Sequence, residues 1–175
     1  NVAATGSGYY DDFTISIPGI GSGAITSNAS IVLNSEFDSA GGPSLARYIT
    51  KPITLADGFD AGDLRVFLSA NKPGTTEVHV YYKVLSGSDA TPFKDRPYLK
   101  MECYNPTTAA SLTTEDFREY EYRPSLTSDV ITYSTDTGVT YDSFKTFAIK
   151  IVMTSTDPSI VPKVKDLRVI ALPSA

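Results

Sequence analysis

The sequence predicts an all-β protein: a single antiparallel β-sandwich, jelly-roll-like in strand order, with almost no helix. Three observations predict it. Apolar and polar residues alternate with a period of two along several segments, as they do in strands that bury one face. Turn-forming clusters of Gly, Pro, Asn, Asp and Ser recur at roughly ten-residue spacing. Helix-start signals are nearly absent: Thr113-Thr114-Glu115-Asp116 offers a threonine cap and early acids for one short turn, but no apolar helical period follows it.

Taken in order, Asp12–Ile17 and Ala29–Leu33 read as short strands. Arg47–Leu55 reads as another, sent to an edge or a bulge by Pro52, which has no N–H to give a ladder. In Asp63–Lys72, Leu64, Val66, Leu68 and Ala70 share one parity and Arg65, Phe67 and Ser69 the other. In Glu77–Leu85 the inward set is Val78, Val80, Tyr82 and Val84, with His79, Tyr81 and Lys83 outward. The cluster Asn71-Lys72-Pro73-Gly74-Thr75 joins these two segments and reads as a hairpin turn. Tyr98–Cys103, Phe117–Arg123 and Asp129–Ser134 are weaker strands. Phe147, Ile149, Ile151 and Met153 alternate with Ala148, Lys150 and Val152, and Leu167, Val169 and Ala171 with Arg168, Ile170 and Leu172. Apolar residues on both faces place these last two strands centrally in a sheet, or beneath a second covering element or partner. The predicted core is Val66, Leu68, Val80, Val84, Ile149, Ile151 and Val169. One domain is expected over residues 9–172, with 1–8 a linker or frayed start and 173–175 a frayed end.

A chain of 175 residues with 41% apolar and 20% charged residues is a folded globular protein of one domain's size. Its formal net charge of −5 and the lack of any Lys/Arg run argue against a nucleic-acid partner. No apolar stretch approaches the roughly 20 residues of a membrane helix, so no membrane partner is expected. The opening NVAATGSGYY has neither an initiator Met nor a signal-peptide pattern, and processing or excision from a longer polypeptide would explain it. Asn28-Ala29-Ser30 fits the glycosylation pattern, a three-residue match that arises readily by chance.

Chemistry has few places to sit. The one cysteine, Cys103, excludes an intramolecular disulfide and reads as a small buried apolar residue, inert for want of an activating partner. The one histidine, His79, would have to carry any Ser-His-Asp or Cys-His mechanism, yet alternation turns it outward on a strand. Two His or Cys residues in all are too few for zinc, and no phosphate-binding glycine loop is present. Glu115, Asp116, Glu119 and Glu121 could supply the carboxylate pair of a glycosidase, but TTEDFREYEYRP reads as a solvated strand edge. Neither an enzyme nor a cofactor is expected. DGFDAGD raises calcium, a hard cation that takes oxygen ligands. Asp57, Asp60 and Asp63 stand three apart, however, unlike an EF-hand loop, and the residues favour a turn in which Gly58 and Gly62 supply positive φ. The tyrosines, among them Tyr9, Tyr10, Tyr81, Tyr82, Tyr120, Tyr122, Tyr133 and Tyr141, suggest an aromatic face for a glycan or a partner, with Tyr81, Tyr120 and Tyr122 as its candidates. The competing reading is that tyrosine simply suits a half-buried β surface.

Three stretches, ARYITKPITLADGFDAGDLRVFLSANKPGTTEVHVYYKVLSGSDATPFKDRPYLKM, FREYEYR and TFAIKIVMTSTDPSIVPKVKDLRVIAL, resemble segments of structural proteins from contractile-tailed bacteriophages, particularly those of cyanobacteria, in baseplate and tail-associated chains. The resemblance runs from Ala46 onward and is one of segment order rather than of a catalytic motif. It implies a β-sandwich module located in the virion, whose partners are other virion proteins and copies of itself. The alternative is a carbohydrate-binding, receptor-recognising module of a phage fibre or tail that meets a host-surface glycan.

Overall fold

The structure, a computed structural model, describes residues 2–4, 13–15, 46–105, 109–125, 130–157 and 159–173. The expected strand Ala29–Leu33, the Asn28 glycosylation pattern, Tyr9 and Tyr10 lie outside these residues. The chain divides into two compact units, Asn1–Val32 and Leu33–Ala175, where one domain over 9–172 was expected. In the first unit β1 (Val2–Ala4) pairs antiparallel with β2 (Phe13–Ile15), so part of the expected frayed start is a strand.

The second unit holds β3 (Arg47–Ile49), β4 (Ile53–Thr54), β5 (Asp63–Asn71), β6 (Thr76–Leu85), β7 (Leu99–Cys103), β8 (Arg118–Pro124), β9 (Tyr133–Ser134), β10 (Thr140–Tyr141), β11 (Thr146–Ser155) and β12 (Lys163–Leu172). Among the described residues no α-helix forms, and Phe93–Asp95 makes one 3-10 turn. The class is therefore all-β, as expected. All its strand pairs are antiparallel, and the main sheet runs β12-β5-β8-β7-β6-β11-β3, with β4 also on β11. These eight strands form one curled sheet, rather than two separately hydrogen-bonded ones. β7 turns the corner: Leu99 and Lys100 pair with β6, and Met101 to Cys103 with β8.

The curl follows from which faces are apolar. Leu64, Val66, Leu68 and Ala70 of β5 and Val78, Val80, Tyr82 and Val84 of β6 belong to one core, with Met101, Ile149 and Ile151. Strands that face each other across a core cannot also pair side by side, so the expected β5–β6 hairpin is instead an arch. Its backbone is satisfied elsewhere: Lys72 N–H donates to Ser111 Oγ at 2.9 Å, Ser111 N–H donates to Lys72 C=O at 2.8 Å, and Thr76 N–H donates to Pro73 C=O at 2.9 Å. Six of the seven predicted core residues are buried, and Val169 packs half-buried against them.

Pro52 acts as expected. The segment lies on the outer side of β11 and its pairing is interrupted between β3 and β4. β11 is central, as its two apolar faces implied, but β12 ends the sheet. On the second face of β12 Arg168 stacks over the Phe67 ring of β5 at 4.8 Å, and Ile170 stays exposed. β8 lies between β5 and β7, so TTEDFREYEYRP is no edge strand. The expected short turn at Thr113 forms, with Asp116 N–H donating to Thr113 C=O, and no helix follows it.

Candidate interaction surface

The sequence-derived site residues do not form a site. Tyr120 and Tyr122 sit opposite Leu68 and Val66 on β5, which turns both rings into the core, and Tyr122 Oη donates to the Val78 carbonyl at 2.9 Å. Their residual exposures are 2% and 3%, so neither can face a glycan or a partner. Tyr81 does point outward, yet it is fully buried, because the chain before β7 roofs this face. The Lys150 ammonium lies 4.9 Å from the Tyr81 ring centre and 4.6 Å from that of Tyr98. The Lys83 ammonium lies 4.5 Å from Tyr98 and 5.3 Å from Phe93, and donates to the Lys94 carbonyl. Two buried lysines thus share aromatic walls, whose negative faces offset part of the desolvation of each charge. Burial and then the neighbouring Lys150 charge push the Lys83 ammonium below its usual range.

This roof is fastened at one node. Tyr133 Oη donates to Asp89 Oδ2 at 2.9 Å and accepts the Ser86 N–H at 2.8 Å, and the Arg96 guanidinium lies 3.7 Å over the Tyr133 ring. Burial disfavours the Asp89 carboxylate, but hydrogen bonds from Thr91 and Tyr133 and the Arg96 charge outweigh it and hold this group below the usual range.

DGFDAGD does not gather its acids. Asp57 pairs with Lys145 at 3.1 Å, Asp60 is exposed, and Asp63 accepts the Leu64 N–H and lies 3.6 Å from Arg65. Among the described residues no three His, Cys, Asp or Glu side chains come together in a way that could hold a metal. Gly58 has φ +78°, as a turn requires, but Gly62 does not have positive φ. Gly62 is instead buried, its N–H donating to Leu172 C=O and its C=O accepting from Ile131, so it ties the loop to two segments. A Cβ at Gly58 would meet nothing within 4 Å, so Gly58→Ala should cost only the left-handed backbone conformation, about 1 kcal/mol. The urea midpoint measures this, and millimolar calcium should leave it unchanged.

The acids of β8 are engaged by arginines. Arg118 donates to both Asp116 oxygens, Arg123 Nε lies 2.6 Å from Glu121, and Arg168 lies 3.0 Å from Glu119. Among the described residues three carboxyls are displaced from their usual values, and all three move downward. The Arg118 hydrogen bonds do this for Asp116, Ser159 does it for Asp157, and Asp89 is held as described above.

Where β7 leaves β6 for β8, a polar cleft of about 180 Å³ opens beside His79, Lys100, Glu102 and Cys103. Burial, then the Lys100 charge, lowers the His79 pKa. The unfolded imidazole therefore takes up a proton at higher pH than the folded one. Stability from His79 is fully present above the unfolded pKa near 6.5 and is lost as pH falls through the folded value. Urea titrations at stepped pH should show this acid-side loss shrinking in His79→Gln, and the single imidazole NMR titration should have its midpoint below 6.5. Cys103 is half-buried, its thiol donating to Asn105 Oδ1 at 3.7 Å, and burial pushes its pKa up. Native-state labelling with a thiol reagent at neutral pH should be slower than for a free small thiol by about tenfold.

The feature that sequence reasoning missed lies at the ends of the sheet. An open groove of about 310 Å³ is lined by Tyr48 of β3, Ile151 and Met153 of β11, and Val164, Leu167 and the charged pair Lys165 and Asp166 of β12. Beside it Tyr48, Ile49 and Ile53 are 55%, 46% and 41% exposed. Only Pro52 pointed to this edge in the sequence, because a groove between Tyr48 and Leu167 depends on which strands end the sheet.

Comparison with family models, with curated proteins and with solved structures returns no match for this chain.

Proposed function

We propose that the chain is a non-enzymatic structural module of a bacteriophage tail or baseplate, located in the virion, which binds neighbouring virion proteins, copies of itself included. The observation that carries this reading is the run of exposed apolar side chains on β3 and β4 beside the apolar groove. Exposed apolar surface gathered at a sheet edge is what a partner covers. The resemblance of the segments from Ala46 onward supplies the setting. Two further features support a role without catalysis. The carboxyls of β8 are neutralised by arginines, and the displaced acids move downward, opposite to the shift a general acid needs. The glycan-binding alternative loses its support with the burial of Tyr81, Tyr120 and Tyr122.

Peptide mass spectrometry of purified phage particles tests the assignment. Peptides of this chain should persist in constant ratio to the tail proteins through gradient purification. Their presence in infected cells but not in purified particles would refute it.

A further inference from the structure

Residues 86–98, which roof the outward face of β6 and β11, are joined to the rest of the molecule unlike the strands around them. None of them belongs to the core. Within 87–98 one residue is buried, and it is the carboxylate Asp89. The backbone bonds of this strap close on themselves: Asp89 N–H donates to Ser86 C=O, Asp95 N–H to Pro92 C=O and Arg96 N–H to Phe93 C=O. Ties from outside come from side chains. Tyr133 Oη holds Asp89 and Ser86, Tyr141 Oη donates to the Ser88 carbonyl at 3.4 Å, and the Lys83 ammonium donates to the Lys94 carbonyl at 3.3 Å.

The face beneath the strap opposes closure. Lys83 of β6 and Lys150 of β11 keep two like charges out of water, both against the Tyr98 ring. The aromatic walls offset part of that cost, and lifting the strap would hydrate both ammonium groups. The latch works the other way. Tyr133 packs against the core, so its hydroxyl is a fixed post, and its bond to an ionised carboxylate is of the strong, charge-assisted kind. A neutral Asp89 accepts that bond less strongly and no longer attracts Arg96.

We propose that residues 86–98 form a strap with a single latch, Asp89 on Tyr133, and that acid releases it, uncovering Tyr81, Lys83 and Lys150 while the sheet stays folded. The groups around Asp89 are Arg96 of the strap, Tyr133 of β9, Tyr141 of β10, which packs on Tyr133, and Lys145, whose side chain passes Gly87. Those around Lys83 are Lys150, Asp95 and Arg96. Acid leaves the cations charged and neutralises the carboxylates, so the repulsion under the strap persists while its latch weakens. Burial raises the Asp89 pKa, but the bonds from Thr91 and Tyr133 and the Arg96 charge outweigh burial and leave it lowered. Asp89 therefore favours the closed strap fully above an open-state value of about 3.9, and that contribution is lost as pH falls through the lower closed-state value.

NMR of the full chain from pH 7 downward tests this, with far-UV circular dichroism of the same samples reporting the sheet. At pH 7 the side-chain methylene signals of Lys83 and Lys150 should be displaced to low frequency by the rings they lie on. In acid they should move to the positions of free lysine as the Asp89 carboxyl carbon titrates, while the strand signal stays. Tyr133→Phe keeps the ring under Arg96 and removes the latch hydroxyl, and Asp89→Asn removes the charge. In each, acetylation of Lys83 and Lys150 at pH 7, read by peptide mass spectrometry, should be about tenfold faster than in the wild type, with Lys94 unchanged. If a variant fails to fold, the wild-type pH series decides alone. Lysine signals that stay in place after Asp89 has titrated, or that move only together with loss of the strand signal, would overturn the inference. So would acetylation of folded variants at the wild-type rate.

Discussion

Leu68→Ala should lower the unfolding free energy by about 2–5 kcal/mol, the range for truncating a fully buried leucine that leaves a cavity. Leu68 has no solvent exposure and lies between Leu167 of β12 and Tyr120 of β8, so three adjacent strands of the sheet meet at its side chain. A curled sheet joined by hydrogen bonds through β7 has little freedom to collapse into such a void. The contrast comes from the other face of β12. Ile170 is 39% exposed, and Ile170→Ala should cost less than about 1 kcal/mol. Urea unfolding of the two variants measures the difference, and equal losses would mean that the faces of β5 and β12 are assigned wrongly.

Asn71→Ala should cost about 1–3 kcal/mol, since the two hydrogen bonds of a buried amide are lost while the half-exposed carbonyls it served can turn to water. Asn71 ends β5 with 2% exposure. Its amide donates to Thr113 C=O at 2.7 Å and to Asp116 C=O at 2.9 Å, pinning the bend that precedes β8. The same bend is held by Asp116, which accepts from Leu112 N–H and is gripped by Arg118. Asn71→Asp should cost more than the alanine variant, because it sets an acceptor against two acceptors. Faster amide exchange at Ser111 and Phe117 would locate the loss in the bend, whereas exchange rising evenly through β5 and β8 would not fit.

Alternation made the strands legible, because a residue's parity decides whether it is buried wherever one face meets the core. It placed Val66, Leu68, Val80, Val84, Ile149 and Ile151 correctly, and the same rule would have sent Tyr120 and Tyr122 inward. Glu119, Glu121 and Arg123 hold the opposite parity in that segment. Weighing the tyrosines as a composition signal hid this. The outward face of β6 was beyond such reasoning, because Tyr81 and Lys83 are covered by Tyr98 and Phe93, whose position depends on the path of a loop rather than on any period. Sheet order was equally hidden. The turn residues between Asn71 and Thr76 suit an arch as well as a hairpin, and only the facing apolar surfaces of β5 and β6 decide between them. The groove follows from that order, so it became visible only once β3 and β12 were known to be the ends.

If, as we propose, this chain is an assembled part of a virion, it should meet its neighbours through the β3 and β12 ends of the sheet. Amine cross-linking of purified particles followed by peptide mass spectrometry tests this, because Lys165 lines the groove and Lys51 follows β3, while Lys94 and Lys145 lie elsewhere in the chain. Links from Lys51 or Lys165 to other tail or baseplate chains are expected. Links to neighbours confined to Lys94 and Lys145, with Lys51 and Lys165 modified as freely as in the isolated protein, would overturn the proposal.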